Sequence, residues 1–207
     1  MTWQIILPNQ TMLSNGTLLA PSIIPADSSV FVQQLPSEAA MHAVLGAGRT
    51  YFIRLRLMDS AGVNRDENVY WMSTTMDVLN WDASTWYNTP VRTFASLRDL
   101  KTMLPNKIDL VWQVTRVDIN TTGVTIMNRD GGSAGHGLAF FVSATLVDGF
   151  TSKALAPVYW DRNAVGIMLV GESVTLTAVY DGTALSSDPN VTITVINDFA
   201  TSEIERS

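Results

Sequence analysis

The chain has 207 residues, a formal net charge of -6 and no cysteine. That length holds one large or two small domains with a sizeable core, the acidic balance argues against nucleic acid as a partner, and the missing thiols exclude disulfides, thiolate metal sites and cysteine nucleophiles together. No apolar run reaches the ~20 residues of a membrane-spanning helix, so no membrane is expected as a partner, and the start, Met1-Thr-Trp-Gln-Ile-Ile-Leu-Pro8, is too short and lacks basic residues for a signal peptide.

Short strands fill the first half. Trp3 to Leu7 is an apolar run ended by Pro8, with a turn expected at Ser14-Asn-Gly16 and a second strand at Thr17 to Ala20. Pro25-Ala-Asp27 turns the chain before a further strand candidate, Val30 to Leu35, and residues 37–45 read as a short helix or a loop under a strand. In Tyr51 to Met58, Tyr51, Ile53, Leu55 and Leu57 fall on one face and Arg54 and Arg56 on the other, the pattern of a half-buried antiparallel strand. Asp59-Ser-Ala-Gly62 turns it into a hairpin partner at Asn68 to Met72.

The second half is more regular. Ile108, Leu110, Trp112 and Val114 alternate with polar residues, and the apolar parity then shifts to Val117 and Ile119, which predicts a β-bulge or a break near Thr115-Arg116. Further strands are expected at Val124 to Asn128, Ala139 to Val147, Ala156 to Trp160, Val165 to Leu169, Ser173 to Tyr180 and Val191 to Asn197. Seven short strands separated by Gly, Asp, Asn and Pro turns predict an immunoglobulin-like sandwich. Trp160 is expected in its core and Asp161 in a turn.

Between the halves lies a stretch that alternates as a strand only as far as Trp71 and then carries Trp81, Trp86 and Tyr87 in an irregular run. Ordering such a run costs about 1 to 2 kcal/mol per residue in backbone entropy, and burying the rings, roughly 150 to 250 Å² each, is the obvious compensation. The expected organisation is therefore all-β: a sandwich over residues 1–76, with strands missing, a packed aromatic connector over 77–106, and a second sandwich over 107–207. The three aromatics are either glue between domains or a platform on which sugar rings stack.

The runs Asn68-Val-Tyr-Trp71, Asp77-Val-Leu-Asn-Trp81, Thr85-Trp-Tyr-Asn-Thr-Pro90 and Leu104-Pro105 resemble the junction of the last two β-sandwich domains in exo-β-D-glucosaminidases, chitosan-degrading members of glycoside hydrolase family two close to the β-mannosidases. Pro157-Val-Tyr-Trp160-Asp161 and Leu169-Val-Gly-Glu-Ser173 are similar to the closing strands of the same enzymes, with Arg162 where an acid is common and Val170 in place of a proline. The resemblance implies a C-terminal, non-catalytic portion of a secreted enzyme that acts on chitosan or its oligomers. It also implies an upstream catalytic barrel as partner and, failing that, self-association through an uncovered sheet. A free-standing carbohydrate- or protein-binding sandwich module is the alternative.

A retaining glycosidase needs two carboxyl groups about 5 to 5.5 Å apart. Glu38, Glu67, Glu172, Glu203 and Glu205 are the glutamates of this chain, and none follows a barrel-type strand. Each reads as a solvated carboxylate. His42 and His136 fall in different predicted domains, the run Asp130-Gly-Gly-Ser-Ala-Gly-His-Gly137 lacks the lysine of a phosphate loop, and Asp77 and Asp82 supply too few oxygens for calcium. Hence no catalytic residue, metal ligand or cofactor is expected. Four sequons, at Asn9, Asn15, Asn120 and Asn190, are candidate N-glycosylation sites and point to a secreted protein.

Overall fold

A computed structural model describes residues 1–19, 24–103, 108–129 and 137–197. It divides the chain into two compact units, Met1–Thr102 and Met103–Ser207, so the aromatic stretch as far as Thr102 belongs with the first half.

The first unit is built on β1 (Thr2–Ile6), β2 (Met12–Thr17), β3 (Thr50–Met58) and β4 (Asn64–Ser73), with one helix, α1 (Glu38–Leu45), between β2 and β3. The four strands form an antiparallel sheet in the order β2-β1-β3-β4. The turn between β1 and β2 falls at Pro8 to Gln10, where Gln10 takes a left-handed conformation, and not at Ser14-Asn-Gly16. Those three residues are strand because Gly16 lies opposite Trp3: a Cβ on Gly16 would stand 2.7 Å from the indole nitrogen, so the ring occupies the space over the glycine. The strand expected to begin at Thr17 therefore ends there, and Ala20 lies outside the described residues. Val30 to Leu35 is irregular chain, with Leu35 packed on the core. The hairpin of β3 and β4 closes on Asp59, whose carboxylate accepts from Ala61 N and Val63 N, and on Gly62 at φ 77°.

Helix α1 begins at Ser37, whose hydroxyl accepts from Ala40 N, the usual cap for an otherwise unpaired helical amide. It lays Met41 and Leu45 on one face of the sheet, where Trp3, Ile5, Tyr51 and Ile53 make the core of this unit.

The opposite face was expected to be wet, and it is not. Ile6 and Phe52 are buried there, and so is Arg54, only 3% exposed. Glu67 explains the arginine. It sits opposite Arg56 and diagonal to Arg54 across the β3–β4 ladder, accepts from Arg56 Nε at 2.7 Å and Arg54 Nε at 2.9 Å, and its side chain is 4% exposed. Glu67 is thus a buried counter-ion, where a solvated carboxylate was expected. The buried Arg54 guanidinium and Glu67 carboxylate, with the partly exposed Arg56 beside them, are tolerated only as a set, because a buried charge without its partner is far costlier than the pair.

The second unit holds the seven expected strands. A four-stranded sheet runs β10-β12-β8-β7, from β7 (Leu110–Arg116), β8 (Thr121–Asn128), β10 (Val158–Trp160) and β12 (Ser173–Tyr180). A three-stranded sheet runs β11-β9-β13, from β9 (Ala139–Asp148), β11 (Val165–Met168) and β13 (Pro189–Thr194). Strands β5 (Val78–Leu79) and β6 (Val91–Thr93) belong to the aromatic stretch of the first unit. The core is apolar and contributed by both sheets, with Val124, Ile126, Leu176 and Ala178 from one and Val142, Leu146, Val165 and Ile193 from the other. Trp160 packs against it, as expected. Asp161 stands in the bend that ends β10, where its backbone N–H and its carboxylate tie it to Thr177 on β12. The parity shift at Thr115-Arg116 is a break, since β7 ends at Arg116 and Val117 to Asn120 turn, exposed, into β8.

Three buried polar side chains fasten this unit. Asn128 donates to Gly137 O and Met168 O, and Asn197 accepts from Phe140 N and donates to Leu138 O. Asp148 accepts from Thr151 N, Phe150 N, Ser186 N and Ser187 N and from the hydroxyls of Thr151 and Ser186. The Thr151 amide first, and the Ser186 donors after it, hold the Asp148 carboxyl far below the usual carboxylate range against the opposing pull of burial.

One substitution tests the charged face of the first unit. Glu67→Gln leaves two guanidiniums facing a neutral amide and is expected to destabilise the first unit by about 3 to 5 kcal/mol in urea denaturation. Replacing Arg54 and Glu67 together by methionine is expected to cost clearly less than the single change. Equal losses would show that the charges are not coupled.

Candidate functional site

The aromatic stretch is a small hairpin. β5 (Val78–Leu79) pairs with β6 (Val91–Thr93), and residues 80–90 form its tip. Asn80 N donates to Pro90 O at 2.8 Å, Thr85 N to Asn88 O at 2.8 Å and Ser84 N to Trp81 O at 3.1 Å, while the hydroxyls of Ser84 and Thr89 meet at 2.7 Å. Arg92 donates to Asn80 Oδ1 and stands 3.7 Å from Asp82, and the Asp77 carboxylate accepts from Ala95 N. Farther on, the short 3-10 segment Arg98–Thr102 is tied to the sheet by Asp99, which accepts from Arg49 Nε at 2.7 Å and Thr50 N at 3.0 Å. Burial opposes the charge of Asp99, but these donors outweigh it and its pKa is lowered.

Hydrogen bonds therefore order this stretch, and ring burial does not. Trp86 is 94% exposed, Tyr87 74% and Trp81 69%. Trp86 and Tyr87 touch edge to face, with centroids 5.1 Å apart and planes at 78°. Within the first unit the three rings are not packed away. The hairpin brings all three to one tip. What the pattern of residues missed was the hairpin itself, and the only signal for it was the polar run Ser84-Thr85 and Asn88-Thr89-Pro90, whose side chains and carbonyls close the loop.

Among the described residues, the other candidates do not converge on a site. Glu38 is exposed in the first turn of α1, Glu67 is the buried counter-ion, and Glu172 accepts from Leu169 N in the turn before β12. Among the described residues no group of three His, Cys, Asp or Glu side chains is placed to hold a metal ion. His136, residues 130–136 of the glycine-rich run, Glu203, Glu205, Leu104 and Pro105 lie outside the described residues. Asn9, Asn15, Asn120 and Asn190 are all exposed: Asn9 in the β1–β2 turn, Asn15 on edge strand β2, Asn120 in the β7–β8 turn and Asn190 on edge strand β13.

A four-plus-three antiparallel sandwich following a mainly β unit puts the chain in the immunoglobulin-like class. Residues 86–198, more than half of the chain, match the family described as the exo-β-D-glucosaminidase Ig-fold domain, and the chain belongs to that family. It is 40% identical over 154 residues to an exo-β-D-glucosaminidase of Amycolatopsis orientalis, covering 73% of this chain and 14% of that protein. It is 37% identical over 138 residues to one of Streptomyces avermitilis, covering 67% of this chain and 15% of that protein. The crystal structure of the Amycolatopsis orientalis exo-chitosanase CsxA superposes with a TM-score of 0.68 at 30% identity, over 95% of this chain and 22% of that one. The chain thus spans about a sixth or less of the length of these curated relatives.

Because Trp86 makes so little contact, Trp86→Ala in the 207-residue chain is expected to change its unfolding free energy by less than about 0.5 kcal/mol. A buried ring would cost about 3 to 5 kcal/mol. Thermal or urea unfolding decides between the two.

Proposed function

We propose that this chain is a non-catalytic, C-terminal portion of an exo-β-D-glucosaminidase, where it scaffolds a catalytic barrel that removes glucosamine units from chitosan-type chains. The observation that carries the reading is the family match over residues 86–198, joined to relatives several times longer than this chain. The carboxylates support it: Glu67 and Glu172 are engaged in local structure, so neither is poised as the acid or nucleophile of a glycosidase pair. Secretion is part of the proposal, supported by the exposure of all four sequon asparagines.

The second reading, a free-standing carbohydrate-binding module, is favoured by one feature, the exposed aromatic tip. Intact mass of the protein from its source separates the two. A species much larger than 22.6 kDa in which these residues form one segment supports the scaffold, and a species of about 22.6 kDa the module. In the same spectra, hexose-spaced additions on peptides holding Asn9, Asn15, Asn120 or Asn190 would support secretion.

The 207-residue chain alone is expected to leave aryl β-D-glucosaminides unhydrolysed above background. Turnover by the chain alone, retained through further purification, would overturn the non-catalytic assignment.

A further inference from the structure

We infer that the tip of the β5–β6 hairpin is a docking wedge, with Trp86, Tyr87 and Trp81 seated in an apolar socket on the catalytic portion of the parent enzyme outside these 207 residues. The inference rests on the scaffold reading above and adds the surface through which it works.

Three observations lead there. The first is the combination of order and exposure: the tip is closed by its own hydrogen bonds, yet it holds its three largest apolar side chains in water. Large exposed apolar groups clustered on a fixed loop mark interaction sites, and tryptophan and tyrosine are enriched among the residues that dominate interface energy. Preorganisation by the hydrogen bonds lowers the entropy lost on docking.

The second is the shape of the pair. A sugar-stacking platform offers a ring face lying flat, whereas Trp86 and Tyr87 stand at 78° to one another in edge-to-face contact. Such a pair presents a ridge with apolar flanks on both sides, which fills a cleft between side chains better than it underlies a flat pyranose. Val78 and Phe94, which flank the tip along the chain, are also exposed. The third is the amount of protein available to cover it, since the superposed exo-chitosanase is matched over only 22% of its length.

The experiment is hydroxyl-radical footprinting read by mass spectrometry, comparing the 207-residue chain with the whole parent enzyme. Oxidation of Trp86, Tyr87 and Trp81 is expected to be fast in the chain and at least ~10-fold slower in the parent. Trp86→Ala is expected to lower the unfolding temperature of the parent while leaving that of the chain unchanged. Equal oxidation in both proteins would overturn the docking wedge. Protection that appears in the parent only after glucosamine oligomers are added would overturn it in favour of a sugar subsite. Protection of the chain alone that grows with its concentration would replace the parent by a second copy. A parent that lacks glucosaminidase activity sinks the scaffold reading itself, whereas an active parent with exposed rings sinks only the wedge.

Discussion

The first unit depends on one arrangement of charge. On the face of its sheet that carries Ile6 and Phe52, Glu67 must be present to pair with Arg54 and Arg56 before those apolar residues can be enclosed beside them. Because side chains alternate along a strand, moving β4 by one residue against β3 would turn Glu67 to the face lined by Tyr51 and Ile53 and leave Arg54 buried without it. The ion network therefore selects the register of the β3–β4 hairpin. An apolar trio of the same volume would bury as well or better but would not discriminate between registers in this way.

The second unit solves a different problem. Its core needs no charge, and β12 and β13 read from the sequence as clean alternation, with Val174, Leu176, Ala178 and Tyr180 of β12 and Val191 and Ile193 of β13 at the positions that alternation assigns. What alternation cannot show is how the irregular connections are held. Asp148, Asn128 and Asn197 do that by gathering backbone amides and carbonyls from strands and loops distant in sequence, and polar residues of this kind look from the sequence like ordinary turn formers.

The same limits explain the rest of what was and was not legible. The long hairpin and the seven strands followed from local pattern, which left residues 37–45 open between a short helix and a loop; the Ser37 cap that makes them a helix is seen only in the structure. Arg54 and Arg56 looked like a wet face because their partner lies on the next strand, and pairing across strands is invisible to a one-dimensional period. Ser14-Asn-Gly16 looked like a turn because the ring that overlays Gly16 belongs to Trp3, on the neighbouring strand. The aromatic run stands out in the sequence, and the entropy cost of ordering it makes ring burial the expected compensation. Its order comes instead from hydroxyls and main-chain groups in the same short loop.

The turn at Asn120 has a consequence for the timing of events on this chain. The side chain of Asn120 accepts from Gly182 N, and its main-chain carbonyl accepts from Tyr180 N. Two residues on, the Thr122 hydroxyl is buried and shares a 2.8 Å hydrogen bond with the Tyr180 hydroxyl. Once β12 has paired with β8, the hydroxyl of this sequon is therefore sealed inside the sandwich, whereas Thr11, Thr17 and Thr192 of the other three remain at the surface. A sugar on Asn120 has to be added while the chain is still open, so its presence or absence would record whether modification or the closing of this domain came first.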